Sequence, residues 1–139
     1  MKTIVKKIAS SKNNIKKIEK VLLSINKKFK LPVDEFNTLM IAISEVVMNA
    51  IVHGNQLDKN KFVTITIEFD QDNMKIRIND EGKGFDYSKT PDPTIQENIH
   101  KTSGRGMFIV KSLLKDVKYK HSEEGSETII SIKKKKTIT

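Results

Sequence analysis

Residues 62–69 alternate without a break: Val63, Ile65, Ile67 and Phe69 are apolar, and Thr64, Thr66 and Glu68 between them are polar. A period of two puts successive side chains on opposite sides of an extended chain, so this stretch predicts a strand with one dry and one wet face. Met74, Ile76 and Ile78 repeat the pattern against Lys75, Arg77 and Asn79, and Asp70–Asn73 supply the turn. The pair is a hairpin. Its dry face needs a cover, and the rest of the chain must provide one.

Two helical stripes precede it. Ile15, Ile18, Leu22, Ile25 and Phe29 recur every three or four residues, the spacing of one face of an α-helix, with lysines on the other faces. Leu31-Pro32 ends that helix, because proline cannot donate to the ladder and disfavours helical geometry before it. A second helix is predicted from an N-cap region at Asp34 to about His53, with a core stripe of Phe36, Met40, Ile43, Val47 and Ile51 and a stop at Gly54-Asn55. Residues 3–8 read as a short edge strand. Residues 81–104, with Gly82, Gly84, Gly104, Pro91 and Pro93, read as a long loop, a length that in a compact domain points to a functional lid. Met107–Val117 reads as a third helix, and Asp116–His121 with Thr128–Lys133 as a closing hairpin around Gly125. The expected fold is α+β: a two-layer sandwich, mainly antiparallel sheet with helices on one face, forming a single domain over residues 1–139.

The formal charge of +9 suggests a polyanion partner until it is located. Residues 1–30 hold ten lysines and one acid, Glu19, whereas residues 31–132 are net negative and Lys133–Lys136 add a basic tail. The basic first helix offers only Phe29 as an aromatic, and Phe29 belongs to the apolar stripe, so direct nucleic-acid binding is not expected. No cysteine is present, which excludes disulfides, thiolate zinc sites and cysteine nucleophiles. No uncharged apolar run approaches the roughly 18 residues of a membrane span. The basic start lacks the apolar stretch of a signal peptide, so no membrane association and a cytoplasmic location are expected.

Three groups of residues carry chemistry. Glu45, Asn49 and His53 recur every four residues along one flank of the second helix, within Ile43-Ser44-Glu45-Val46-Val47-Met48-Asn49-Ala50-Ile51-Val52. A carboxylate and a carboxamide among apolar neighbours need partners or a ligand. Capping or bridging within the fold satisfies the same spacing. Asp80-Glu81-Gly82-Lys83-Gly84 follows the second hairpin strand, where glycines admit close backbone approach; a tight turn uses the same residues. Ser103-Gly104-Arg105-Gly106 opens the third helix, where free N–H groups suit phosphate, although glycines also serve ordinary turns. Neither glycine group has P-loop spacing.

Taken in order, Glu-x-x-x-Asn on a helix, Asp-x-Gly-x-Gly after a strand and Gly-x-Gly before a helix resemble the N, G1 and G2 boxes of the Bergerat-fold ATPases. That superfamily includes gyrases, histidine kinases and mismatch-repair ATPases, and the resemblance covers roughly residues 10–135. Within it, Ser44–Asn55, Asp92-Pro93-Thr94-Ile95-Gln96-Glu97-Asn98-Ile99 and Ser103–Val110 are most similar to the anti-sigma factor serine/threonine protein kinases.

The resemblance implies ATP and Mg²⁺ as cofactors and a lid at about 84–104. Asn49 would ligate Mg²⁺, and Glu45 would be the general base that activates the attacking hydroxyl. Asp80 would accept from the adenine amino group, with Gly82 and Gly84 hinging the lid. Ser103, Gly104, Arg105, Gly106 and Met107 would wrap the phosphates, and Thr128 would lie near the adenine. The family often has a Gly-Thr pair where this chain has Gly125-Ser126-Glu127-Thr128. Lys101 and Arg105 both fall near the expected γ-phosphate. His53 reads as structural, while His100 and His121 have no partner evident in the sequence.

The function implied is that of a protein serine/threonine kinase acting as an anti-sigma factor. It would phosphorylate an anti-sigma-antagonist of STAS type, sequester a sigma factor and form a homodimer. The alternative is an ATP-gated partner-binding module without significant turnover. A histidine-kinase catalytic domain is not expected, since about 33 residues precede the second helix and leave no room for a phosphoacceptor hairpin.

Overall fold

The computed structural model describes residues 1–82 and 116–134. Strand β1 (Lys2–Ala9) leads through a short 3₁₀ turn (Lys12–Asn14) into α1 (Ile15–Phe29) and α2 (Val33–Asn49). Strands β2 (Phe62–Phe69), β3 (Asn73–Asn79), β4 (Val117–Ser122) and β5 (Gly125–Lys133) complete a five-stranded sheet of order β1-β2-β3-β5-β4. Every neighbouring pair is antiparallel.

The alternation sets the register. Ile67 pairs with Ile4 and Ile76, and Ile76 in turn pairs with Ile130, so one face of the sheet is a continuous apolar row. Val63, Ile65, Ile67, Phe69, Met74, Ile76, Ile78 and Ile130 are buried on that face. Ile15, Ile18, Leu22, Ile25 and Phe29 of α1 and Leu39, Ile43, Val46 and Val47 of α2 close over it in one core. Each large aliphatic side chain removed from water there contributes about 1.5–3 kcal/mol. Thr64, Thr66, Glu68, Lys75, Arg77 and Asn79 take the opposite face.

The observed elements depart from the expected ones in four places. The helix α2 begins at Val33, with Pro32 before it and Phe36 N donating to Pro32 O; Asp34 lies in the first turn and does not cap it. Its carboxylate there, with that of Glu35, complements the helix dipole. Phe36 and Met40 are only partly buried, because the helix turns Leu39, Ala42 and Val46 inward between them. At its other end α2 widens into a π turn, Ala50–Gly54, with Asn55 N bonding to Ala50 O. The left-handed residues that reverse the chain are Gln56 (φ 52°) and Leu57 (φ 59°), so Gly54 is not glycine for the sake of its φ. Val117, which the sequence shares between a helix and a hairpin, is the first residue of β4, and β5 starts at Gly125 because Gly125 pairs with Ser122. β1 is the edge strand expected and runs from Lys2 to Ala9 against all of β2.

The segment Val33–Gly54 is 22 residues long and apolar enough in composition to cross a bilayer. In this fold that composition serves the core, where Leu39, Ala42, Ile43, Val46, Val47 and Ile51 are each 1% exposed or less. The third helix read at 107–117 lies, up to residue 115, outside the described residues.

Candidate functional site

The second helix delivers a carboxylate and a carboxamide one turn apart. Asn49 is 3% exposed and its Nδ2 has no hydrogen-bond partner among the described residues. A half-turn of the carboxamide exchanges its nitrogen and oxygen, so one end of this buried group is available to a ligand. Burial of such an atom unpaired costs about 1–3 kcal/mol, which a ligand would recover. Glu45 is half-buried, and desolvation raises its pKa above the usual carboxylate range. That shift makes it a better proton acceptor once ionised. His53 stands exposed on the π turn.

The turn brings Gly54 against Asp80, which follows β3. A Cβ on Gly54 would lie 2.4 Å from Asp80 Oδ2. A Cβ on Gly82 would lie 1.5 Å from Gly54 O, and one on Gly125 would lie 2.1 Å from Asp80 O. Glycine backbone therefore packs closely around this aspartate: a side chain at Gly54 would displace the Asp80 carboxylate, and one at Gly82 or Gly125 would displace main chain. Asp80 N donates to Ser126 O at 3.0 Å. Its Oδ1 accepts from Ser126 N at 3.1 Å and from Gly82 N at 3.2 Å. Two donors thus occupy Oδ1, and Oδ2 keeps its acceptor capacity for a ligand. Burial pushes Asp80 up to about 6, against the opposing effect of those two backbone hydrogen bonds and the charges of His121 and Lys61.

On β5, Thr128 is buried and lies on the same side as Ser126, between Ile78 of β3 and Tyr119 of β4. The structure thus joins Asp80, Gly82 and the strand bearing Thr128 to the end of the helix that carries Glu45 and Asn49. The other expected positions, Gly84, Lys101, Ser103, Gly104, Arg105, Gly106 and Met107, lie outside the described residues, as do the lid at 84–104 and His100.

Four residues of this constellation escape a reading of the sequence. Asn55 is fully buried and bonds to Ser10, Phe62 and Glu81. Ser10 donates from Oγ to Lys61 O at 2.7 Å. Ser126 is buried beside Asp80, and His121 Nδ1 lies 3.0 Å from Ser126 Oγ. All four sit at element ends, where no periodicity marks them, and Asn after Gly reads as an ordinary turn.

The arrangement offers a recessed carboxylate oxygen in a glycine-walled recess, suited to a planar donor group. Beside it the helix offers a base and an unsatisfied carboxamide. Among the described residues no group of three His, Asp or Glu side chains could hold a metal. A cation here would rest on the Asn49 carboxamide together with oxygens of its ligand, which is how Mg²⁺ is commonly held on phosphates.

Comparison with known proteins points the same way. The family model for the histidine kinase-like ATPase domain matches residues 8–132. An anti-sigma F factor from Clostridium beijerinckii is 33% identical over 106 residues, covering 74% of this chain and 73% of that protein. The serine-protein kinase RsbW of Staphylococcus aureus is 37% identical over 98 residues, and the match spans 61% of its length. Among solved structures, one containing the RsbU and RsbW domains of a Mycobacterium tuberculosis protein superposes with a TM-score of 0.69 over 96% of this chain and 32% of its own, at 14% identity. That last likeness is one of fold.

Proposed function

Since the chain belongs to the histidine kinase-like ATPase domain family, we propose that it is an ATP-dependent protein serine/threonine kinase acting as an anti-sigma factor. The observation that carries this reading is the junction of Gly54 with Asp80. It sets the Asp80 carboxylate at the end of the helix that bears Glu45 and Asn49, whose Nδ2 has no partner among the described residues. The relatives named anti-sigma F factor and serine-protein kinase RsbW support it.

Asp80 Oδ2 accepts from the exocyclic amino group of adenine, and the backbone of Gly54 and Gly82 bounds the base. Thr128 lines the same recess from β5. Asn49 would hold Mg²⁺ through its carboxamide oxygen, and the ion would supply charge neutralisation for the nucleotide's phosphates. The family resemblance assigns the phosphates to Ser103 to Met107. Glu45 takes the proton from the serine or threonine hydroxyl as its oxygen bonds to the γ-phosphorus; the bond to the leaving ADP oxygen breaks in line. A carboxylate whose pKa is raised by burial holds that proton more readily than a solvated one.

The substrate is an anti-sigma-antagonist of STAS type, and a sigma factor is the second partner. The lysine face of α1 is where an acidic surface of either partner docks. Lys12, Lys16, Lys17, Lys20, Lys27 and Lys28 are all exposed, with Glu19 as the sole acid of residues 1–30. The protein works in the cytoplasm as a homodimer, for which exposed Val5, Leu23 and Ile41 offer apolar contact.

Incubation with labelled ATP and the antagonist encoded beside it tests the proposal. Label should pass to serine or threonine, and Glu45→Ala should slow transfer by about 10²–10⁴-fold, the usual worth of a general base. Nucleotide-dependent partner capture without any transfer would leave the ATP-gated binding module as the correct reading.

A further inference from the structure

We propose that Asn55 is a positioning residue for the adenine acceptor, holding the Asp80–Gly82 segment in the one orientation that aims Asp80 Oδ2 at the base. The inference rests on the nucleotide-site reading above and assigns a role to a residue to which the family resemblance gave none.

Asn55 is 0% exposed, and both its N–H donors and its carbonyl oxygen are engaged. Nδ2 donates to Ser10 Oγ at 2.8 Å and to Phe62 O at 3.0 Å, and Oδ1 accepts from Glu81 N at 2.8 Å. Ser10 Oγ in turn donates a hydrogen bond to Lys61 O. The Glu81 side chain returns to accept from Phe62 N. These bonds tie the end of β1, the start of β2 and the residue after Asp80 to one buried side chain.

Asparagine alone among short side chains supplies two donors and an acceptor. Aspartate would face the Phe62 carbonyl with a like dipole, and alanine would take these bonds from the Phe62 carbonyl and the Glu81 N–H and leave Ser10 Oγ only its bond to Lys61. The peptide bonded by Asn55 is the one joining Asp80 to Glu81. Asp80 is fastened on its other side by the reciprocal bonds with Ser126. With Oδ1 held by two N–H groups, the direction of Oδ2 depends on the peptide planes on both sides of Asp80. Ser126 fixes one plane and Asn55 the other.

An oxygen aimed by this clamp favours a base presenting an amino group and opposes one presenting a carbonyl there, as guanine does. Positioning by Asn55 therefore shows in base preference as well as in affinity. A purely structural role would change stability, or lower affinity for both nucleotides together.

The test titrates ATP and GTP, with Mg²⁺, into the full chain by calorimetry for the unsubstituted protein, Asn55→Ala and Ser10→Ala, with circular dichroism as the check on folding. Asn55→Ala should weaken ATP about tenfold, the effect expected from losing a buried hydrogen bond. GTP binding should scarcely change, so the ATP-over-GTP preference should fall by the same factor. Ser10→Ala, which removes one of the bonds to Asn55, should lower the preference by a smaller factor in the same direction. A folded Asn55→Ala protein with ATP affinity within twofold of the original, or with ATP and GTP weakened equally, would overturn the proposal. Should Asn55→Ala not fold, an unchanged preference in Ser10→Ala overturns it instead. Absence of ATP binding by the unsubstituted protein would remove the nucleotide-site reading itself, a different result from either.

Discussion

Asp80 carries two opposing demands. Its folded pKa of about 6 exceeds the ordinary carboxylate value of 3.8, because burial disfavours the charged form. The folded protein therefore binds a proton that the unfolded chain does not between those values, and Asp80's contribution to stability grows as pH falls from about 6 towards 4. Nucleotide binding runs the other way, since only the ionised carboxylate is a full acceptor. ATP affinity should decline as pH drops through about 6, while the apo protein gains stability from this residue over the same range. Asp80→Asn separates the two demands. It should lose adenine recognition at pH 7 and leave the melting temperature of the apo protein unchanged or higher; a marked fall in melting temperature with ATP affinity retained would contradict this. Asp80 was legible from its place in Asp80-Glu81-Gly82-Lys83-Gly84, because glycines at that spacing expose backbone. Asn55, Ser10 and Ser126 were not, because their importance comes from long-range partners: Asn55 and Ser10 are 45 residues apart in sequence, and Ser126 and Asp80 are 46 apart.

Among the elements, strands and helices were legible wherever one face meets the core. The alternation of Val63–Phe69 and Met74–Ile78 and the stripe of α1 appear in the structure residue for residue, since burial of one face is what periodicity records. Where the second helix stops was legible too, since its last turn closes at Gly54 as Gly54-Asn55 suggested; the π geometry of that turn was not. The π turn, and the positive φ of Gln56 and Leu57, arise from how Asn55 and Gly54 dock on Asp80–Gly82, which leaves no local pattern. That origin yields a prediction about sign. By helix propensity, Gly54→Ala should stabilise a helical position by roughly 1 kcal/mol. Because the new Cβ would meet Asp80 Oδ2 at 2.4 Å, we expect the reverse. Overpacking should cost about 1–3 kcal/mol, and ATP affinity should fall with it. Denaturant melts and nucleotide titration of this one variant check both, and a stabilised, ATP-binding Gly54→Ala protein would refute the docking.

Over the whole molecule, charge and chemistry are separated. The proposed nucleotide residues Glu45, Asn49, Asp80 and Thr128 lie on α2, after β3 and on β5, while the lysines of residues 1–30 lie mainly on β1 and the outer side of α1. They crowd one another there: the Lys28 ammonium beside Lys2 lowers the Lys2 pKa. Lys134 of the basic tail lies over the Phe29 ring at 4.8 Å, so the tail meets the end of α1. The total of +9 thus lies in residues 1–30, apart in sequence from the three boxes, and we propose that this surface meets an acidic protein. Reversing the charges of Lys16, Lys17 and Lys20 should weaken partner capture at least tenfold, steeply with falling salt, as for contacts of an unshielded patch. ATP affinity should stay within about twofold of the original, an allowance for long-range screened charge. Equal losses in both measurements would show that the separation has no functional meaning.

In the function proposed, one site, assembled from α2, the turn after β3 and the start of β5, binds ATP with Mg²⁺. Calorimetric titration of ATP with and without Mg²⁺, on the unsubstituted protein and on Asn49→Ala, tests it most directly. We predict binding that strengthens with Mg²⁺ in the unsubstituted protein and a loss of affinity or of that metal dependence in Asn49→Ala. Identical, Mg²⁺-dependent binding by both proteins would contradict it and place the nucleotide elsewhere.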